Sequence, residues 1–191
     1  MNKLRCSWAD SHPLLISYHD EEWGVPVHDD RQWFEKIVLD GAQAGLSWLT
    51  ILKKRDAYRA AFKNFEVAKV AKFGARDVKR LMNDAGIVRN QMKVDSAIRN
   101  AKAFIAIQKE FGSFDAYIWA FVDKKPVQSK QDSSKKWPAS TPLSDAISKD
   151  LKKRGFNFVG TTIVYAFLQA SGVINDHTTA CFRYKPVAKL K

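Results

Sequence analysis

The sequence is poor in cysteine and has no long apolar run. Only Cys6 and Cys181 occur among its 191 residues, so a scaffold held together by disulfide bonds is not expected. A membrane-spanning helix needs about 20 consecutive apolar residues, and the sequence contains no such segment. The first residues, MNKLRCSWADSHP, lack the apolar segment of a secretory signal. We therefore expect a cytoplasmic protein that does not enter a membrane.

Acidic residues are scarce relative to basic ones. The chain has 20 Asp and Glu residues against 32 Lys and Arg residues, which gives a formal net charge of +12. A basic domain of this kind is typical of proteins that bind a polyanion, most often nucleic acid. The basic clusters at 53–55, 76–80 and 152–154 are spread through the chain and are not gathered in a tail. The alternative explanation of the net charge is a basic surface that only keeps the protein soluble.

Strand patterns are also missing, and the helical spacing of apolar residues dominates. The apolar stripe over residues 94–105 and the glycine-bounded segment 160–172 both predict helices. A further helix is predicted from Ser144, as its N-cap, to a stop at Gly155. These patterns predict an all-α fold.

The polar segment 124–141 is predicted to be a long loop between an earlier and a later helical block. The later block has too few helices to form a core of its own. We therefore expect one domain over residues 1–191, made of two helical lobes, in which the N-terminal and C-terminal segments pack together. No feature indicates oligomerisation, so a monomer is expected.

Two pairs of metal-ligand residues lie at the two ends of the chain. His177 and Cys181 are four residues apart, and Cys6 precedes His19 near the N-terminus. Two thiolates and two imidazoles are a typical ligand set of structural zinc. The spacing does not match a zinc finger, however. The alternative is that each histidine is an ordinary buried polar residue and each cysteine a small apolar one.

Residues 76–107 have the pattern of two helices joined by a short turn that contains Gly86. Such a turn before a helix presents free backbone amides to a phosphate group, and Arg89 and Lys93 would add positive charge beside it. This pattern predicts a helix-hairpin-helix motif that binds the DNA backbone independently of the base sequence. The second glycine usual in such hairpins is absent, because Arg89 stands there. An ordinary helix–helix turn with solvated basic neighbours is the alternative.

Five segments of the chain resemble the signature segments of the bacterial DNA-3-methyladenine glycosylase I family. They occur in the same order and cover nearly the whole chain; they are SYHDEEWGVP, AGLSWLTILKKR, DAGIVRNQMK, KKRGFNFVGTT and NDHTTAC. The resemblance implies an all-α helix-hairpin-helix fold with one zinc ion that joins the chain ends, held by Cys6, His19, His177 and Cys181. It also implies a monofunctional enzyme that hydrolyses the N-glycosidic bond of 3-methyladenine in double-stranded DNA. Such an enzyme releases the free base, leaves an abasic site and does not cut the backbone.

The resemblance further implies an aromatic base pocket. A base must be flipped out of the duplex before it can be excised, and stacking on aromatic rings recovers about 1–3 kcal/mol per base. Methylation makes the adenine cationic, and a cation over an aromatic ring gains about 0.5–2 kcal/mol more. The positions that match the pocket of the family are Trp8, Tyr18, Trp23 and Trp48.

Asp40 is the expected catalytic residue of this pocket. A carboxylate there can accept hydrogen bonds from the adenine edge and stabilise positive charge as the bond breaks. The glycines and alanines that follow it would let the backbone approach DNA, and Leu46 would wedge into the gap left by the base. The alternatives are that Asp40 caps a helix, the glycines serve helix packing and Leu46 belongs to the core.

Two positions depart from the family pattern. The family usually has Glu where this chain has Asp40, and an aromatic residue is expected where this chain has Leu15. Because a displacement of about 1 Å in a preorganised site can cost about 100-fold in rate, these departures leave specificity and rate open. One alternative function is therefore a catalytically weak or altered-specificity protein that binds alkylated DNA with the same fold. Another is a zinc-stabilised DNA-binding protein without a base pocket.

Overall fold

The structure, a computed structural model, describes residues 3–190 and is almost entirely helical. Within that range the α-helices are, in chain order, α1 (Pro13–Glu21), α2 (Asp30–Gln43), α3 (Trp48–Ala61), α4 (Val67–Val70), α5 (Ala75–Met82), α6 (Gln91–Phe111), α7 (Phe114–Ala120), α8 (Pro142–Lys153), α9 (Thr161–Ala170) and α10 (Tyr184–Val187). Short 3-10 helices occur at Ala9–Ser11 and Lys63–Phe65. No helix of the described range is long and apolar enough to cross a membrane.

The described residues contain one exception to the all-helical pattern. Two-residue strands, β1 (Val127–Gln128) and β2 (Ile174–Asn175), pair in parallel, with Val127 opposite Ile174. The expectation that the chain has no strand was wrong for this pair, which is too short to produce an alternating sequence pattern. The pairing attaches the loop before α8 to the segment that follows α9.

Side-chain caps fix where the functional helices begin. Ser47 accepts a hydrogen bond from the Thr50 amide and starts α3, and Asn90 accepts one from the Lys93 amide and starts α6. Helix α8 starts at Pro142, after Thr141, so the prediction of Ser144 as its N-cap was wrong. The Ser144 side chain instead bonds back to the Thr141 amide at 2.8 Å, as the third residue of a capping box.

Helix α2 runs through the middle of the hydrophobic core. It packs against α3, α6, α7 and α9, and its Trp33 and Phe34 side chains have no solvent exposure. Phe104 of α6 and Phe114 of α7 stack nearby, with ring centroids 4.2 Å apart. Because α2 is held on several sides, the residues in its last turn are set in a rigid frame.

Backbone hydrogen bonds join the N-terminal segment to the C-terminal one. The Phe182 amide donates to the Leu4 carbonyl at 2.9 Å, and the Gly24 amide donates to the Gln169 carbonyl at 3.1 Å. At Gly172, which has a φ of +72°, an added Cβ would lie 2.3 Å from the backbone nitrogen of Pro26. The two segments therefore touch backbone to backbone. The division of the domain into two lobes stays a prediction.

This close approach predicts a large loss of stability for Gly172→Ala. The matched control is Gly112→Ala, because Gly112 has a similar φ of +85° but, among the described residues, no atom beyond its chain neighbours lies within 4 Å of the added Cβ. We expect the control to cost about 1 kcal/mol through strain alone, and Gly172→Ala to cost at least about 2 kcal/mol more through the clash. Chemical denaturation of the two variants measures the difference, and equal losses would contradict this packing.

Candidate active site and metal centre

A cavity of about 550 Å³ opens between α1, the end of α2, the start of α3 and α9. Its size is within the range of small-molecule sites. The four predicted pocket aromatics, Trp8, Tyr18, Trp23 and Trp48, all line it, and so do Asp40 and Leu15. The structure thus brings together residues that are up to 40 positions apart in the sequence.

The aromatic rings hold one another in tilted and edge-on contacts. The ring centroids of Trp8 and Trp23 lie 5.1 Å apart at 77°, and those of Tyr18 and Trp48 lie 5.3 Å apart at 52°. Contacts of this geometry are favourable for aromatic quadrupoles, so the walls are preorganised. Trp8 and Trp48 are only half-buried, and both line the cavity.

Asp40 reaches the cavity from the last turn of α2 and is only 4% exposed. Within residues 3–190 its Oδ2 atom has no hydrogen-bond partner. Burial raises the pKa of Asp40 to about 7, against the opposing charge of Lys36. Asp40 does not cap a helix, because Asp29 and Ser47 cap the N-termini of α2 and α3. A buried carboxyl oxygen without a protein partner can accept a hydrogen bond from a ligand.

Trp48 carries the second buried polar atom without a partner in this cavity. Its Nε1–H group finds no acceptor in the described part of the chain. Buried polar groups in proteins are nearly always hydrogen-bonded, so two unpaired ones in one cavity indicate a ligand that pairs with them. Residues that carry an aromatic face, one unpaired N–H donor and one unpaired carboxyl oxygen thus line the same cavity, and such a set suits a flat polar heterocycle.

The turn between α2 and α3 lies beside the mouth of the cavity. Gly45 has a φ of +76°, with open space where a Cβ would stand, and Leu46 is 40% exposed. Leu46 is therefore not a core residue, and its predicted contact with DNA stays a prediction. Gly41 serves packing, because a Cβ there would lie 3.2 Å from the Cβ of Phe158.

Helices α5 and α6 are joined by a turn over residues 83–90, as the sequence predicted. The expectation that the Gly86 amide is free was wrong, because it donates to Oδ1 of Asp84 at 2.7 Å. Gly86 is instead required by packing, since an added Cβ would lie 2.7 Å from the Cβ of Ala57. The Val88 amide is also satisfied, by the hydroxyl of Tyr58 at 3.2 Å.

Arg89 lies in this turn and Lys93 in the first turn of α6, and the two residues have different surroundings. The ammonium group of Lys93 donates to the carbonyls of Ala42 at 2.8 Å and Ala44 at 2.7 Å, at the C-terminal end of α2. This contact stabilises the helix end that carries Asp40. Arg89 is exposed. The DNA contacts predicted for Gly86, Arg89 and Lys93 stay predictions, and of the three Arg89 is the best placed to reach a phosphate.

The four predicted metal ligands, Cys6, His19, His177 and Cys181, form one buried cluster with all ligand atoms within 4.8 Å of one another. The Cys181 Sγ lies 3.5 Å from His19 Nε2 and 3.6 Å from His177 Nδ1, and the Cys6 Sγ lies 3.7 Å from His177 Nδ1. A tetrahedral zinc site with ordinary bond lengths gives sulfur–nitrogen separations of about 3.6 Å. The residues present therefore fit a metal ion.

The outer ring nitrogens of both histidines are already bonded. His19 Nδ1 lies 2.8 Å from Oδ1 of Asp20, and His177 Nε2 lies 3.0 Å from the Trp23 carbonyl. These bonds place a proton on each outer nitrogen, so the inner nitrogens present lone pairs to the cluster. A hydrogen bond between the two thiols lowers the pKa of Cys181 and raises that of Cys6. The cluster has the donor arrangement of a closed metal site.

Several wall residues of the cavity were missed by the sequence analysis. Trp137, from the loop before α8, lines the cavity, and its Nε1 donates to the Asp176 carbonyl at 3.2 Å. The carboxylate of Asp176 accepts hydrogen bonds from Tyr165 and Gln169, which line the cavity from α9. The available signal was a tryptophan in an otherwise polar loop, together with an aspartate directly before a predicted metal ligand.

Comparison with known proteins gives the family. The family model described as methyladenine glycosylase matches residues 8–184. The chain belongs to this family. DNA-3-methyladenine glycosylase 1 of Escherichia coli (strain K12) is 49% identical over 180 residues, which cover 94% of this chain and 96% of that protein.

Solved structures of the family agree in fold. A crystal structure of 3-methyladenine DNA glycosylase I superposes with a TM-score of 0.90 at 51% identity, covering 94% of this chain and 98% of that one. A Staphylococcus aureus family member, whose structure concerns recognition of 3-methyladenine, has a TM-score of 0.89 at 36% identity and covers 93% and 95% of the two chains. The all-α fold predicted from the sequence is therefore confirmed.

The buried carboxyl group of Asp40 predicts a pH-dependent gain in stability for Asp40→Asn. The pKa of this group rises from 3.8 to about 7 on folding, so ionised Asp40 destabilises the fold increasingly as pH rises between those values. At pH 7.5 we expect the variant to exceed wild type by up to about 4 kcal/mol, with the advantage vanishing toward pH 4. Unfolding of both proteins across this range checks it. A difference that does not vary with pH would contradict the assignment.

Proposed function

We propose that this chain is a DNA base-excision repair enzyme that hydrolyses the N-glycosidic bond of 3-methyladenine in alkylated double-stranded DNA. The observation that carries the proposal is that Asp40, which lines an aromatic cavity, has a carboxyl oxygen without a hydrogen-bond partner among residues 3–190. Membership of the methyladenine glycosylase family supports it. So does the net charge of +12, which suits a polyanionic substrate.

In this proposal the flipped base stacks on the rings of Tyr18 and Trp48. The positive charge of the methylated base interacts with the faces of these rings more strongly than a neutral base does. The Asp40 carboxylate accepts a hydrogen bond from the exocyclic amino group, and the Trp48 Nε1–H donates to a ring nitrogen. These two contacts satisfy the buried groups that lack a partner.

The proposed reaction breaks the bond between the sugar C1′ and the base nitrogen. The electron pair of that bond goes to the base, whose positive charge makes it a good leaving group, and it departs as neutral 3-methyladenine. Water adds to C1′ and loses a proton, which leaves an abasic site. The negative charge of Asp40 stabilises the cationic sugar as it develops. No lysine adduct forms, so the DNA backbone is not cut.

On the DNA side, we assign direct contacts to Leu46, Arg89 and the turn at Gly86, and a supporting role to Lys93. Leu46 is exposed beside the cavity mouth and would fill the space of the flipped base. The turn between α5 and α6 is assigned as a helix-hairpin-helix in which Arg89 reaches the phosphate backbone. Lys93 acts on DNA only indirectly, because its ammonium group supports the end of α2.

We assign the buried cluster of Cys6, His19, His177 and Cys181 to one structural zinc ion. All four ligands come from the protein, so the site has no open position for substrate. The ion would join the two chain ends and supply no chemistry to the reaction. We further propose that the chain acts as a monomeric, cytoplasmic, single-domain enzyme.

Release of free base tests the function directly. Wild type incubated with methylated double-stranded DNA should release 3-methyladenine and leave an alkali-labile but uncut strand. Asp40→Asn keeps the shape of the side chain without its charge, and we expect it to release the base at least about 100-fold more slowly. Chromatography of the released bases measures both, with intact unmethylated DNA as the control.

Failure of the wild type to release base would contradict the proposed function. If it nevertheless binds the methylated DNA, the alternative of an alkylation-damage binding protein is favoured. Asp40 has one methylene fewer than the Glu usual in the family, which would pull the carboxylate back from the base. Recovery of base release in Asp40→Glu would then assign the lost activity to this shorter side chain.

The zinc assignment predicts metal content and stability together. Purified, untagged protein should contain about one zinc ion per chain, and a strong chelator should lower its melting temperature. Cys181→Ser should lose the ion and melt at a lower temperature, with no further loss on addition of chelator. The assignment would be contradicted if the purified protein contains no zinc and the chelator leaves its melting temperature unchanged.

A further inference from the structure

A second cavity, of about 380 Å³, lies behind the aromatic one. Tyr18, Trp48 and Ala170 line both cavities and so form the wall between them. The second cavity differs in character, because charged side chains dominate its lining; they are Glu22, Arg31, Glu35, Lys36, Arg55 and Arg59. Most of these charges are paired with each other. Arg55 bonds Glu22 at 2.6 Å, and Arg59 bonds Glu35 at 2.8 Å.

Lys36 is the member of this lining whose ammonium group has no acidic partner within ion-pair distance in residues 3–190. Its Nζ donates to the carbonyl of Ala170 at 2.9 Å, at the C-terminal end of α9. It stands on α2 four residues before Asp40, and residues at this spacing lie on the same face of a helix. Lys36 lines the second cavity and Asp40 lines the aromatic one, and the carbonyl that Lys36 bonds belongs to Ala170, a residue of the shared wall.

We propose that Lys36 is a positioning residue of the candidate active site, whose ammonium group favours the ionised form of Asp40 in the aromatic cavity without touching the base. The electrostatic part of this inference concerns only the protein, and its consequence for catalysis rests on the proposed function. An ionised Asp40 accepts hydrogen bonds through both oxygens, whereas the neutral acid has one oxygen occupied by its own proton. Lys36 would thus set the pH above which the carboxyl group of Asp40 is ionised and can accept hydrogen bonds from a cationic base through both oxygens.

The charges around this pair favour such coupling. Burial lowers the pKa of Lys36, and the negative charges of Asp40, Glu22 and Glu35 act in the opposite direction. The other ionisable side chains that face Asp40 from neighbouring elements are neutral or otherwise engaged. The pKa of Tyr18 is raised well above its usual value by burial, and the Tyr165 hydroxyl donates to Asp176. The ammonium group of Lys93 is bound to carbonyls of Ala42 and Ala44, and the guanidinium group of Arg55 is paired with Glu22.

The coupling has a consequence for lesion preference. The ammonium group of Lys36 helps Asp40 to ionise, yet it also repels a positively charged base. Removal of its charge should therefore weaken binding of 3-methyladenine-containing DNA at low pH, where Asp40 becomes protonated. At high pH, where Asp40 is ionised in both proteins, the same removal should leave binding equal or tighter.

The test is an NMR titration of the Asp40 carboxyl carbon in the free protein, labelled at aspartate. In Lys36→Met the side-chain length is kept and the charge is removed. We expect the Asp40 midpoint to rise by about one pH unit, which means about tenfold less carboxylate at pH values below the midpoint. Lys36→Arg keeps the charge and should restore a midpoint close to that of wild type.

The matched control is Arg31→Gln. Arg31 lines the same cavity and lies on the same helix, but nine residues before Asp40, or about 13 Å along the axis. At that separation salt screens the charge, so the Asp40 midpoint should move by less than about 0.3 units. Lys36→Gln, which keeps a donor for the Ala170 carbonyl, replaces Lys36→Met if the latter does not fold.

A purely structural role for Lys36 would lower the melting temperature and leave the Asp40 midpoint in place, and that result would overturn the inference. Equal shifts in Lys36→Met and Arg31→Gln would also overturn it. The pH dependence of base release by Lys36→Met should move by the same amount as the NMR midpoint. If the midpoint moves but no base is released even by wild type, the electrostatic role of Lys36 stands and the proposed function fails.

Discussion

Two cysteines and two histidines from opposite ends of the chain meet in one buried cluster, and the aromatic cavity is built directly on it. Tyr18 precedes a cluster histidine, and the Trp23 carbonyl holds the ring of His177. The Trp23 ring also packs edge-on against that histidine, with centroids 4.6 Å apart. Any loss of the cluster would therefore displace the cavity wall. The stability of the cluster and the geometry of the cavity therefore depend on the same contacts.

The buried polar groups of the cavity lower the stability of the folded protein. A carboxyl oxygen of Asp40 and the Nε1–H of Trp48 are buried without a partner in the described part of the chain, and each such group costs about 1–3 kcal/mol. The surrounding structure tolerates this because α2 is packed on several sides and Lys93 holds the end of the helix. A bound base that pairs with both groups would recover this free energy. Binding is therefore favoured for a base whose edge carries a donor for Asp40 and an acceptor for Trp48.

The sequence predicted the structure correctly where a local apolar pattern or a set of metal-ligand residue types determines it. Helical spacing predicted α6 and α9, and the two cysteines and two histidines predicted the cluster. It was uninformative where the result depends on tertiary contacts. Nothing local shows that Lys93 bonds the end of α2, that the Gly86 amide is taken by Asp84, or that Trp137 folds onto the cavity. The parallel pairing of β1 and β2 likewise joins segments about 47 positions apart, beyond the reach of a periodic pattern.

The most direct test of the central claim is a crystal structure of the protein with 3-methyladenine. We expect the base to lie in the aromatic cavity, stacked against Trp48, with a hydrogen bond of about 2.7–3.2 Å to Oδ2 of Asp40 and one from the Trp48 Nε1–H group. A base that binds in the second cavity, or in the aromatic cavity without a contact to Asp40, would contradict it.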